Sequence, residues 1–168
     1  MNSMYVWKRG EGRPVVLIHG MFGDHLDWEP VLTPLAERRQ VIAVDLPGFG
    51  ASPGPLMECT AEAFVSALRE AILEQTPGLE QTTGGQTVSL VGNSFGGQIA
   101  MLYTLAYPQE VRDLTLVDSG GFSNYTDAEK QFLTARMSEQ AILNFTPALT
   151  RTLFEALFVT QTDPSRRY

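Results

Sequence analysis

Hydrophobic residues gather in four short runs, Val15-Val16-Leu17-Ile18, Val41-Ile42-Ala43-Val44, Val88-Ser89-Leu90-Val91 and Leu114-Thr115-Leu116-Val117. The runs are rich in β-branched residues and apolar throughout rather than alternating. That is the pattern of strands buried on both faces of a parallel sheet. Each gives way to a turn-rich cluster: His19-Gly20, Asp45-Leu46-Pro47-Gly48, Gly92-Asn93-Ser94 and Asp118-Ser119-Gly120-Gly121. Met4 to Lys8, ahead of Gly10 and Gly12, predicts a short antiparallel edge strand. Between the runs the apolar spacing becomes helical. Thr60 reads as an N-cap, followed by a stripe of Ala63, Phe64, Ala67, Leu68, Ala71 and Ile72 that stops before Pro77-Gly78. A second helix is predicted from Ser94 through Ile99, Met101, Leu102 and Leu105 until Pro108. Strands alternating with helices predict an α/β fold with a mostly parallel sheet flanked by helices. Glu80 to Gln86, with Gly84-Gly85, reads as a flexible loop.

From about Phe122 the alternation stops. Asp127 to Leu143 and Ala148 to Val159 look helical, and no strand follows before Tyr168. We therefore expect residues 1–122 to form the amino-terminal part of the core and 123–168 to begin a helical lid over a site. Another layer of the core is the alternative. If the sheet ended at Leu114 to Val117, a strand built for burial on both faces would become an exposed edge, open to self-association.

Composition narrows the class. The 168 residues carry a net charge of −7, with 43 % hydrophobic and 18 % charged positions. The length suits one domain with a sizeable core, which excludes a disordered tail or a disulfide-stapled miniprotein. The acidic balance argues against a nucleic-acid partner, because phosphates are neutralised by clustered Lys and Arg. The single cysteine, Cys59, permits no internal disulfide or cysteine metal cluster and suits a reducing compartment. No apolar stretch approaches the roughly 18 residues needed to span a bilayer. Met1 to Gly12 lacks the apolar core of a signal peptide. A cytoplasmic protein without a membrane partner is the expectation. There is no ligand cluster or dinucleotide motif, so no cofactor is expected.

The candidate chemistry lies at two of the turns. Gly92-Asn93-Ser94-Phe95-Gly96 is a G-x-S-x-G sequence between an apolar run and a helix, the context in which that motif carries a nucleophile. A serine on a strained strand-to-helix turn is lifted out of the sheet, and small neighbours two residues away permit the bend. The competing reading is a glycine-rich turn in which Ser94 merely caps the helix. A dinucleotide loop needs G-x-G-x-x-G, a spacing that Gly92, Gly96 and Gly97 do not give. The second turn is His19-Gly20-Met21-Phe22-Gly23. Attack on a carbonyl puts negative charge on its oxygen, and backbone N–H donors there stabilise it. The candidate donors are Phe95, just after the nucleophile, and Met21.

The segments PVVLIHGMFG, VIAVDLPGFGAS, LVGNSFGG and LTLVDSGG, in that order, resemble the α/β-hydrolase superfamily over residues 4 to about 122. The resemblance implies a serine hydrolase acting on a small-molecule ester or ketone carbonyl. It also implies that Asp45 is a structural capping carboxylate. Asn93 before the serine resembles the meta-cleavage carbon–carbon hydrolases, while the short segment before His19-Gly20 resembles small carboxylesterases. The chain departs from the family pattern in one respect. The triad order is serine, acid, histidine, and no histidine follows Ser94. His19 belongs to the oxyanion turn, and His25 reads as a solvated loop residue. Asp118 ends a strand from which some members supply the triad acid, but most supply it one strand later, and Asp118 reads as a strand-end cap.

The simplest expectation is that these residues are the front of a longer enzyme whose acid and base lie outside them. The isolated chain is then inactive. The competing class is a non-catalytic binding module derived from the hydrolase fold. Phe132, Phe145, Leu153, Phe154 and Phe158 would line its cavity.

Overall fold

The computed structural model describes residues 4–54, 60–79, 85–121, 126–128 and 131. The chain divides into two compact units, Met1–Phe122 and Ser123–Tyr168, and the sheet with its helices lies in the first. The loop over 80–84, nearly all of the two carboxy-terminal helices and the five candidate cavity-lining residues lie outside the described residues.

Five strands form one sheet: β1 (Val6–Arg9), β2 (Pro14–Ile18), β3 (Gln40–Val44), β4 (Val88–Asn93) and β5 (Val111–Val117), in the order β1-β3-β2-β4-β5. β1 pairs antiparallel with β3 at the edge, and the other pairings are parallel. The helices are α1 (Glu29–Ala36), α2 (Ala61–Gln75) and α3 (Phe95–Ala106). Thr60 caps α2 as expected, its hydroxyl accepting from the Ala63 N–H at 3.2 Å.

Successive side chains of a strand point to opposite faces, so β2 feeds two cores. Val16 and Ile18 join Ile42, Leu68, Ile72, Leu90 and Ile99 on the α2–α3 side. Val15 and Leu17 meet Leu32, Val41 and Ala43 on the α1 side. Burial on both faces holds for β2 and for nearly all of β3. It fails for the other two: β4 alternates between buried and half-buried, and β5 has no buried residue. Continuous apolarity records what a strand can bury, and here neither β4 nor β5 is fully covered.

Helix α1 and the 3₁₀ turn His25–Trp28 before it are additions to the sequence reading. Pro30 and Pro34 hide α1, yet Pro30 occupies the first turn, where its missing N–H costs nothing. A polar clamp ties α2 to α3. The buried Glu110 carboxylate accepts from Arg69 Nη2 at 2.7 Å and from the Tyr103 hydroxyl at 2.6 Å. The Arg69 guanidinium also lies 4.4 Å from the Tyr107 ring centre. Burial and the bond to Glu110 hold the Tyr103 phenol above its ordinary range.

Candidate active site

Strand β4 enters α3 through Ser94, whose backbone sits at φ 49°, ψ −114°. A non-glycine residue held there costs on the order of 1–3 kcal/mol and persists only where its surroundings over-determine it. They do so here. The Ser94 N–H donates to Val117 O at 3.1 Å, and its carbonyl accepts from Gly97, Gln98 and Gly120 at 3.0–3.3 Å. Side chains are excluded on either side. A Cβ on Gly92 would lie 2.5 Å from Gly96 O, and one on Gly96 would run into the carbonyl oxygens of Ile18 and His19. The Ser94 hydroxyl makes no capping bond to the helix. The capping reading therefore fails, and the side chain is left over for something else. Phe95 opens the helix, so its N–H has no intrahelical acceptor, and it takes no other among the described residues.

The His19–Gly23 turn abuts this elbow. A Cβ on Gly20 would stand 3.3 Å from Ser94 Cβ and 2.9 Å from Asn93 Oδ1. Gly23 N–H closes the turn onto Gly20 O at 3.2 Å. The Met21 N–H, one residue after Gly20, takes no acceptor among the described residues. Met21 is exposed, as is Phe22, which has a left-handed backbone at φ 65°. The structure thus brings the Met21 turn, Ser94 and Phe95 to one end of the sheet. Asp118, at φ 46°, lies in a third turn at the same end. Its carboxylate bonds to nothing among the described residues. Its neighbours Val117 and Gly120 grip the Ser94 backbone.

The two histidines have different fates. His19 is fully buried, its Nδ1 2.7 Å from Gly20 O and its Nε2 accepting from the Leu46 N–H at 2.8 Å. A carbonyl can only accept, so Nδ1 carries the proton. Both nitrogens are committed and His19 is structural. His25 is not the solvated loop residue the sequence suggested. Its Nδ1–H donates to the buried Asp45 carboxylate at 2.9 Å, and its backbone N–H donates to the same oxygen at 2.6 Å. Asp45 Oδ2 accepts from the Ala51 N–H at 2.8 Å, in keeping with the capping role that the resemblance implies. The pair was within reach of the sequence. β2 and β3 are parallel neighbours with Ile18 opposite Val44, so the loops following them start side by side.

Asp24, His25 and Asp45 each place one potential metal ligand atom within 4.8 Å of the others. Hydrogen bonds account for the grouping: His25 binds Asp45, and Asp24 accepts from the Leu26 N–H at 2.7 Å. Burial, with Asp24 and Asp45 nearby, raises the Asp27 carboxyl above its ordinary range. An apolar hollow lies elsewhere, between Trp28, Val31 and Leu35 on the α1 side and Leu17 and Val91 of the sheet.

Residues 13–161 match the family model for the alpha/beta hydrolase fold. The chain belongs to this family. Among curated hydrolase-fold relatives, an abhydrolase domain-containing protein, abhd-5.2, from Caenorhabditis elegans is 35 % identical over 123 residues, covering 73 % of this chain and 27 % of the relative. The 2-hydroxymuconate semialdehyde hydrolase of Pseudomonas sp. (strain CF600) is 36 % identical over 117 residues, covering 68 % of this chain and 39 % of that enzyme. Among solved structures, the esterase EaEST from Exiguobacterium antarcticum superposes with a TM-score of 0.73 at 26 % identity, covering 90 % of this chain and 56 % of that one. The hydrolase-fold chain thus spans well under half the length of these two curated relatives. No helix among its described residues is long and apolar enough to cross a membrane.

Proposed function

We propose that this chain carries the nucleophile of a serine hydrolase, on Ser94. The observation behind this reading is the Ser94 backbone, strained at φ 49° with its hydroxyl unused by the helix it precedes. In the proposed reaction Ser94 Oγ attacks the carbonyl carbon of a small-molecule ester, or of a ketone whose adjacent carbon–carbon bond is to be cleaved. A base takes the hydroxyl proton and returns it to the departing alcohol or carbon. The N–H groups of Phe95 and Met21 bind the oxyanion, each worth about 2.7–4 kcal/mol of barrier in comparable sites. Water then releases the acyl group from Ser94.

His19 has no free nitrogen, His25 is tied through Nδ1 to the buried Asp45 as a part of the loop, and no histidine follows Ser94. We therefore assign the triad base and acid to residues outside these 168, and take 1–122 as the front of the core and 123–168 as the start of a lid. The isolated chain would be inactive. We propose a cytoplasmic location, which the single cysteine fits. Relatives named as an esterase and a semialdehyde hydrolase support the carbonyl substrate class.

The missing base favours a second reading, a binding module that keeps the fold without the chemistry. Reading the source gene past Tyr168 separates the two. A downstream strand ending in Asp or Glu and a later loop histidine support the enzyme, whereas a stop codon supports the module. Labelling of the extended chain by a fluorophosphonate, lost in Ser94→Ala, tests the nucleophile itself.

A further inference from the structure

The segment that carries the Met21 N–H is exposed at its middle and held at its ends. Met21 and Phe22 are exposed, Gly23 and Asp24 are half-buried, and the one internal bond joins Gly23 to Gly20. The segment is a bridge between two pegs. At one end His19 locks onto Leu46 and Gly20 from full burial. At the other, His25 delivers two donors, its N–H and its Nδ1–H, to a single buried oxygen of Asp45. Asp45 is itself fixed by Ala51 N–H and, through its carbonyl, by the Ser52 hydroxyl. The Tyr5 ring closes over His25 with its centre 5.0 Å away.

We propose that His25, acting through Asp45, is a positioning residue for the oxyanion turn. This goes beyond the hydrolase reading in naming what holds one of its donors, and it rests on that reading for its catalytic meaning. His19 anchors the turn at one end, where Gly20 sits against Asn93 and Ser94, and Met21 and Phe22 are the exposed stretch that follows. The His25 peg fixes the other end and so sets where the Met21 N–H stands relative to Ser94. Displacing an oxyanion donor by about an ångström costs on the order of 10² in rate, so a weak-looking loop contact has leverage on chemistry. The peg needs only a donor at the Nδ1 position. Asparagine supplies one, with its Nδ2, and alanine does not.

The test is amide exchange by NMR on this chain, comparing wild type with His25→Ala and His25→Asn. The reporter is the Gly23 N–H, which lies between the pegs, donates to Gly20 O and makes no contact with His25 or Asp45. Loss of a hydrogen bond to a buried carboxylate predicts roughly ten- to a hundredfold faster Gly23 exchange in His25→Ala. Amides of β2 and β3 keep their rates, and His25→Asn restores Gly23 to within a few-fold of wild type. Unchanged Gly23 exchange in His25→Ala overturns the proposal. So does acceleration that spreads equally to β2 and β3, or an asparagine variant no better than alanine, since either marks general loosening. The same series in a Ser94→Ala background must give the same rates. A failed hydrolase reading shows instead as absent fluorophosphonate labelling of Ser94 in the extended chain, so the two failures are told apart.

Discussion

Replacing Glu110 by alanine removes the acceptor at the centre of the clamp between α2 and α3, the helix that Ser94 precedes. The cost can be built from its partners. Tyr103 is fully buried, and its hydroxyl loses its acceptor at 2.6 Å. Stranding a buried hydroxyl costs about 1–3 kcal/mol. Arg69 is 28 % exposed at its side chain, so water replaces much of what it loses, and its share is about 1 kcal/mol or less. The total is near 3 kcal/mol, which for a chain of this size lowers Tm by roughly 6–12 °C. Thermal unfolding followed by circular dichroism measures it. A double-mutant cycle with Tyr103→Phe should give a coupling of about 1 kcal/mol, because without the hydroxyl nothing buried is stranded. A fall in Tm under about 2 °C, with no coupling, would refute the reasoning and mean that the pocket rehydrates on loss of the carboxylate.

Gly96→Ala forces a Cβ into the carbonyl oxygens of Ile18 and His19; unfolding in urea should show a loss of about 1–3 kcal/mol, the cost of overpacking against backbone. Asp27 has a carboxyl raised by burial, so the folded state holds its proton more tightly than the unfolded one. The stability it contributes falls as pH rises from the ordinary carboxylate value through the raised one. Urea midpoints between pH 4 and 7 should show this slope in wild type relative to Asp27→Asn, and a slope of opposite sign would contradict it. The β5 edge pairs with β4 and with no other strand among the described residues; we expect concentration-dependent self-association by sedimentation, weakened by Thr115→Lys, since an edge lysine disfavours strand addition.

Much of this architecture is legible in the sequence where local chemistry decides it. The apolar runs marked β2 to β5, Thr60 marked the start of α2, and the glycines around Ser94 marked an elbow that no Cβ would fit. What escaped depends on neighbours distant in the chain. α1 was hidden by Pro30 and Pro34, which forbid a helix interior but allow a short helix held by packing on Val15 and Leu17. The exposure of β5 is invisible because composition says what a strand can bury, not what covers it. His25 looked solvated because its partner is twenty residues away and reaches it only through the parallel pairing of β2 with β3. The turn that carries Asp118 holds Ser94 through backbone bonds from Val117 and Gly120, which no side-chain pattern announces.

Under the proposed function Ser94 is a nucleophile whose base lies outside these residues. Hydrolysis of p-nitrophenyl acetate tests it most directly, measured for this chain and for the chain extended along its gene. The prediction is a rate no better than buffer for the 168 residues. The extended chain should turn over ester and lose at least on the order of 10³ of that rate in Ser94→Ala. Turnover that survives Ser94→Ala would contradict the account, as would Ser94-dependent turnover by the 168 residues alone.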